Sequence, residues 1–243
     1  LPIYMMFVSA LFPSRLQAPV LFGIYASGVL LALCCARLLK NTLFKAPQRD
    51  SLHHMKRLRL PSLRKVGILM WSRAFMYVRK AGTFILGASI ILWFLNTYPR
   101  PEEDTAPTNA AAMEHSYAGQ IGHWMEPVTQ VAGFDWKINS ALVGAFAAKE
   151  IFVTQMGILY AVEDGNSAPA AQQTLNARLK ASYTPLQGIS IMIFCLIALP
   201  CIGTVTVAKR EAGTWWFALA QFGGLTLLGF ATATLIYQAG LLL

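Results

Sequence analysis

VLFGIYASGVLLALCCARLL, residues Val20 to Leu39, is apolar for about 20 residues and ends at Lys40. A helix of that length rises about 30 Å, enough to cross the hydrocarbon of a bilayer. Read as a membrane span, this stretch decides the fold class: an all-α, polytopic membrane helical bundle. The rest of the chain agrees, since 56% of its 243 residues are hydrophobic and only 13% are charged, about half the charged share of an ordinary soluble domain. Mean hydropathy is +0.49.

Upstream of this span, Leu1 to Phe12 reads as the end of a truncated helix stopped by Pro13, which cannot continue the backbone ladder. Pro19 fits the first turn of the next helix. No basic n-region precedes the first apolar run and Leu1 is not an initiator Met, so the chain reads as a piece of something longer. Downstream, eleven basic residues from Lys40 to Lys80 face one acid, Asp50. The positive-inside rule makes this stretch cytoplasmic. Most of the net charge of +9 lies here beside apolar runs, so anionic lipid headgroups are its expected partner and nucleic acid is not. Leu63, Val66, Ile68, Leu69, Trp71, Phe75 and Val78 recur near helical spacing within it, as in an amphipathic helix at the headgroup level. His53 and His54 read as solvated loop residues.

Ala81 to Thr97 reads as the second span, running outward to Trp93 and Tyr98, where interfacial aromatics belong. The acidic, Pro-rich Tyr98 to Gly122 stretch suits an extracytoplasmic loop. Lys137 to Tyr160, Leu186 to Ala208 and Trp215 to Tyr237 follow as three more apolar segments, with a polar stretch from Val162 to Tyr183. If the first of these crosses, Lys209 and Arg210 lie outside, against the charge rule; if it dips in and returns, they lie inside. Both topologies stand at this level. Three regions result: 1–39, with a truncated helix and a complete span; 40–80, basic and cytoplasmic; and 81–243, which carries the polar features.

Two of those features sit in apolar surroundings. Lys149 and Glu150 follow Ala147 and Ala148 near the middle of a segment, where a charge costs roughly 2.5 to 3.5 kcal/mol on insertion scales. Successive helical residues point about 100° apart, so one charge can anchor neighbouring backbone while the other faces cargo. A packing ion pair is the plain alternative. Ala141, Gly144, Ala145 and Ala148 form a small-residue stripe before the pair, explained by close helix approach. The second feature is Leu199-Pro200-Cys201-Ile202-Gly203-Thr204. Pro200 lacks an amide hydrogen and Gly203 tolerates unusual backbone, so at least one helix is broken or re-entrant. Such breaks form binding sites at membrane depth. A Cys201 thiolate would be a soft metal ligand there, with a buried inert thiol as the plain alternative.

Glu150 and Met156 are weaker metal-ligand candidates; methionine in an apolar segment is ordinarily packing. Cys34, Cys35 and Cys195 lack a neighbouring helix break and read as inert. His123, Glu126 and Asp135 are candidates for extracytoplasmic cation capture, although Asp135 also suits the N-cap of the following helix. The chain has no G-x-x-x-x-G-K-[ST] phosphate loop, no G-x-S-x-G and no H-E-x-x-H. The expectation is a chain that is not itself an enzyme.

Several blocks, in order, resemble the C-terminal half of the membrane domain of the FeoB family, bacterial ferrous-iron transporters. They are Leu1 to Tyr4 through Pro13, Lys80 to Thr83, Glu126-Pro127, Gly133 to Trp136, Phe146 to Glu150, Pro200-Cys201 with Thr204, and Arg210 to Trp215. The resemblance implies Fe²⁺ as transported ion with no permanently bound cofactor. It also implies a multi-pass protein of the bacterial cytoplasmic membrane and a second gate region that works with a first gate and an N-terminal GTP-binding domain outside this chain. Small cytoplasmic accessory proteins and homo-oligomers are further implied partners. By resemblance, the gate cysteine is Cys201 and the charged gate pair is Lys149 and Glu150. Gly203 stands where the family often has Ala. A gate for another divalent metal or a nucleoside, and a scaffold that transports nothing, remain the other readings.

Overall fold

The computed structural model describes residues 2–42, 62–99, 113–147, 149–160, 168–198, 200 and 202–242, and every regular element among them is helical. At the centre lies a short helix, α1 (Pro2–Leu11), seven of whose ten residues are buried. It is apolar on nearly every side, as a helix packed on several neighbours must be. Phe7 meets the ring of Phe152 at 6.1 Å and that of Tyr183 at 6.3 Å. Leu11 occupies the space that a side chain at Gly188 would need. Pro13 ends α1 as expected.

Helix α2 (Ser14–Thr42) begins at Ser14, ahead of the predicted start at Val20 by nearly two turns, so Pro19 lies inside it and not in its first turn. Its contacts with the rest of the chain are few. One of them is at Gly28, where Leu196 packs close to the backbone.

Helix α3 (Leu63–Thr97) corrects the boundary expected at residue 80: the amphipathic stretch and the second span form one helix of 35 residues. No proline or capping signal interrupts it, so nothing in the backbone favours a break. His53, His54 and the rest of 43–61 lie outside the described residues. Helix α4 (Tyr117–Thr129) begins within the expected extracytoplasmic loop, where Ser116 Oγ accepts the Gly119 amide at 3.2 Å. A 3₁₀ turn (Gln130–Ala132) then leads to Gly133, whose φ of 81° suits a residue without a side chain.

Helices α5 (Trp136–Ala147) and α6 (Lys149–Leu159) replace the single third segment. Helix α7 (Ala168–Ser182) occupies the polar stretch and turns by 104° into α8 (Pro185–Ile197). Thr184 and Gln187 start α8 with a reciprocal capping box and Pro185 sits at its first position. After the Pro200 break come α9 (Ile202–Ala212) and α10 (Trp215–Leu242).

Helices α8 and α10 run antiparallel. Ala198 at one end of α8 packs on Gly229, and Leu186 at the other packs on Gly240. Ser190 Oγ lies 2.8 Å from the Ala132 carbonyl and 3.2 Å from that of Ala233, joining the 3₁₀ turn to both helices. Among the described residues, two unbroken helices are long and apolar enough to cross a membrane, Ser14–Asn41 and Trp215–Leu242, and the bent pair of α7 and α8 is a third candidate.

Candidate gate site

The α5–α6 hairpin is the first part of the site. An ideal Cβ at Gly144 would lie 3.0 Å from Ile151 Cγ2 and 4.0 Å from Gln155 Cδ. In one continuous helix, residues 144 and 155 stand roughly 16 Å apart. Helices α5 and α6 therefore lie side by side as a hairpin, the arrangement that the returning topology requires. Ala141, Gly144 and Ala145 are buried in this fold-back, which is the close-approach role expected of small residues.

Helix α5 has 12 residues, so the hairpin tip lies about 18 Å from its base. On α8, Cys195 lies about 15 Å from Pro185, near half the thickness of the hydrocarbon. These two points meet. Lys149 Nζ donates to the Cys195 carbonyl at 2.6 Å. The physical reason is clear: the last carbonyls of a helix have no partner within it, and Cys195 lies in the last turn of α8. An ammonium there also opposes the negative end of the helix dipole.

Lys149 thus anchors backbone, while Glu150, the next residue, is exposed. Pro200 is half-buried, and Gly203 and Thr204 are exposed on the first turn of α9. Cys201 lies outside the described residues. Met156 is fully buried in the hydrophobic core with Phe152 and Leu159, so its thioether packs there away from the exposed Glu150. Cys195 is also buried, whereas Cys34 is exposed and Cys35 half-buried on α2.

At the base of the hairpin the predicted capture residues divide into two groups. His123 Nδ1 lies 3.3 Å from Glu126 Oε2 and Nε2 lies 3.7 Å from Glu114 Oε1, with the ring stacked on Trp136 at 4.8 Å. Asp135 belongs elsewhere. It caps α5 by accepting the Ile138 amide at 2.9 Å, and it accepts the Tyr183 hydroxyl at 3.0 Å. Tyr160 donates in turn to Tyr183 at 3.1 Å. Burial holds the Asp135 carboxyl above its ordinary range, against the lowering pull of the Ile138 amide, Tyr183 and Lys137. Among the described residues, no group of three or more His, Cys, Asp or Glu is placed to hold a metal ion.

Sequence reasoning did not find the Cys195 carbonyl or the Asn96–Gln155 pair, in which each amide donates to the other at 3.0 and 2.8 Å. The carbonyl carries no signature in residue type. Asn96 and Gln155 do: each is an uncharged polar residue in an apolar helix.

Residues 78–215, which contain the hairpin, the bent pair and the Pro200 break, match the family described as Gate, nucleoside recognition. Residues 21–73 match the family described as the ferrous iron transport protein B C terminus. The chain belongs to the FeoB family. It corresponds to the C-terminal membrane region of FeoB, and with its apolar helices it is part of a multi-pass membrane protein. It is 34% identical to the Fe(2+) transporter FeoB of Campylobacter jejuni, an alignment covering 91% of this chain and 36% of that protein. The Fe(2+) transport protein A/Fe(2+) transporter FeoB fusion protein of Porphyromonas gingivalis is 33% identical over the whole chain and 33% of its own length. The Fe(2+) transporter FeoB of Methanocaldococcus jannaschii is also 33% identical, over the whole chain and 35% of its length. The chain thus spans about a third of the length of these curated FeoB relatives. No solved structure matches it.

Proposed function

We propose that this chain forms the second gate of a ferrous-iron path in a bacterial cytoplasmic membrane, working with a first gate and a GTP-binding domain outside these residues. The observation that carries the reading is the bond from Lys149 Nζ to the Cys195 carbonyl. It joins the tip of a helical hairpin to the end of a broken helix, the arrangement from which transporters build ion sites. Lys149 is the positioning charge. With its ammonium held by α8, the exposed Glu150 is the carboxylate nearest in sequence to the junction, and Cys201 follows the break. A thiolate, a carboxylate and freed carbonyl oxygens make a labile set suited to Fe²⁺. The names of the relatives support the cargo.

The test is Fe²⁺ entry into proteoliposomes holding the full-length protein, read by quenching of an enclosed chelating dye. Cys201→Ser and Glu150→Gln each lower entry at least about tenfold, with GTP hydrolysis unchanged. Normal entry in both variants rejects the gate assignment, and competition by a nucleoside in place of Fe²⁺ rejects the cargo.

A further inference from the structure

Among the described residues, helix α3 is held to the rest of the chain at one end. From Arg64 to Ile91 none of its described side chains is buried, and Leu92 is. Beyond Leu92 the attachments gather. Phe94 stacks on Tyr98 at 5.1 Å and on Tyr117 at 6.0 Å, and the Tyr117 amide donates to the Tyr98 carbonyl at 2.8 Å. Asn96 and Gln155 exchange their two amide hydrogen bonds within the same turns. The other end of the helix, about 50 Å away, carries Arg64 and Lys65 of the basic stretch.

These two kinds of attachment differ in what they transmit. Stacked rings tolerate sliding and rotation. A reciprocal amide pair has a single register, because each partner both donates and accepts. Gln155 is 2% exposed, and a buried amide that loses its partner meets no water to replace it. It lies on α6 about 9 Å along the helix from Lys149.

We infer that Asn96 and Gln155 are positioning residues that pass movement of α3, driven from its basic end, into the hairpin bearing Lys149 and Glu150. The inference rests on the gate reading above and names how a switch outside this chain reaches the gate. Helix α3 is the lever, its last two turns are the pivot, and the amide pair fixes the hairpin to the pivot. The pair touches no cargo and stays closed while the gate works.

The test uses the full-length FeoB protein that carries this chain, reconstituted in vesicles. Asn96→Leu and Gln155→Leu fill similar space without hydrogen bonds, and the exchange Asn96→Gln with Gln155→Asn restores both amides. Spin labels at Thr154 and Val207, exposed on α6 and α9, report hairpin movement on addition of a GTP analogue without any need for iron. The wild-type protein is expected to show a nucleotide-driven distance change. Each leucine variant loses it, takes up Fe²⁺ at least about tenfold more slowly and hydrolyses GTP within about twofold of normal, and the exchange recovers all three. Should a leucine variant misfold, Asn96→Cys with Gln155→Cys, joined by a disulfide, decides the matter: a locked pair retains the movement. A wild-type protein without movement, a folded leucine variant that keeps it, an exchange variant that lacks it, or a locked pair that blocks it overturns the inference. Failure of the gate reading looks different: the movement and its loss remain, while Cys201→Ser and Glu150→Gln carry iron normally.

Discussion

Lys149 and Asp135 tie the same hairpin to opposite ends of α8. The first binds the Cys195 carbonyl in its last turn, and the second binds Tyr183 just ahead of its cap. Lys149→Met leaves that carbonyl unpaired, a loss of about 1–3 kcal/mol, and the expected outcome is slower iron entry together with a lower melting temperature in detergent. Asp135→Ala removes the α5 cap, worth about 1 kcal/mol, and the acceptor for Tyr183, whereas Asp135→Asn keeps an oxygen for both donors. The sign of the pH effect follows from burial. The folded carboxyl holds its proton more tightly than the unfolded one, so its contribution to stability is complete below the ordinary carboxylate value and declines as pH rises through the raised folded value. Melting curves across that interval are expected to show this decline in wild type and to lack it in Asp135→Asn.

Helices meet closely where side chains are missing. Gly144 lets α6 return along α5, and Gly229 lets α10 approach the Ala198 backbone, where an added Cβ would stand 3.1 Å from the amide nitrogen. Gly229→Val is expected to separate α8 from α10 and lower stability by about 1–3 kcal/mol, measured by thermal unfolding in detergent. Gly223→Val, on the same helix with nothing near its Cβ position, is the control and should change little. How much of the site was legible differs element by element. The Pro200 break was readable because proline lacks a donor wherever it stands. The fold-back after Ala147 was not, because Lys137 to Tyr160 holds no proline and its apolar run suits a crossing as well as a return. The separation expected at residue 80 had a similar cause: composition changes there from basic to apolar, but hydrogen bonding continues unbroken through α3.

At the scale of the whole chain, large apolar side chains lie open along α2, α3 and α10, among them Phe22, Leu33, Trp71, Ile91 and Leu235. That exposure suits hydrocarbon as solvent. Alkaline carbonate is expected to leave the protein in the membrane pellet, and release into the supernatant would contradict a spanning bundle. The hairpin also bears on the charge balance. A segment Lys137 to Tyr160 that enters and leaves by the same face would put Lys209 and Arg210 on the side that holds the Lys40 to Lys80 stretch. Trypsin added to inside-out vesicles should therefore cut both regions, while right-side-out vesicles should protect both.

Composition and pattern alone determined that the chain is helical and lives in a membrane, where its basic flank lies in sequence, and that Lys149-Glu150 and Pro200-Cys201 are its chemically expensive points. These follow from local quantities: transfer free energy, charge and the missing proline donor belong to each residue wherever the chain goes. Only the tertiary structure decided that the third segment doubles back, that Met156 is core, that Asp135 faces Tyr183 while His123 faces Glu114 and Glu126, and that Lys149 reaches the Cys195 carbonyl. The Asp135–Tyr183 and Lys149–Cys195 bonds join groups 48 and 46 residues apart in sequence. A backbone carbonyl has no identity in the sequence, and becomes a binding partner when folding brings an ammonium group to it.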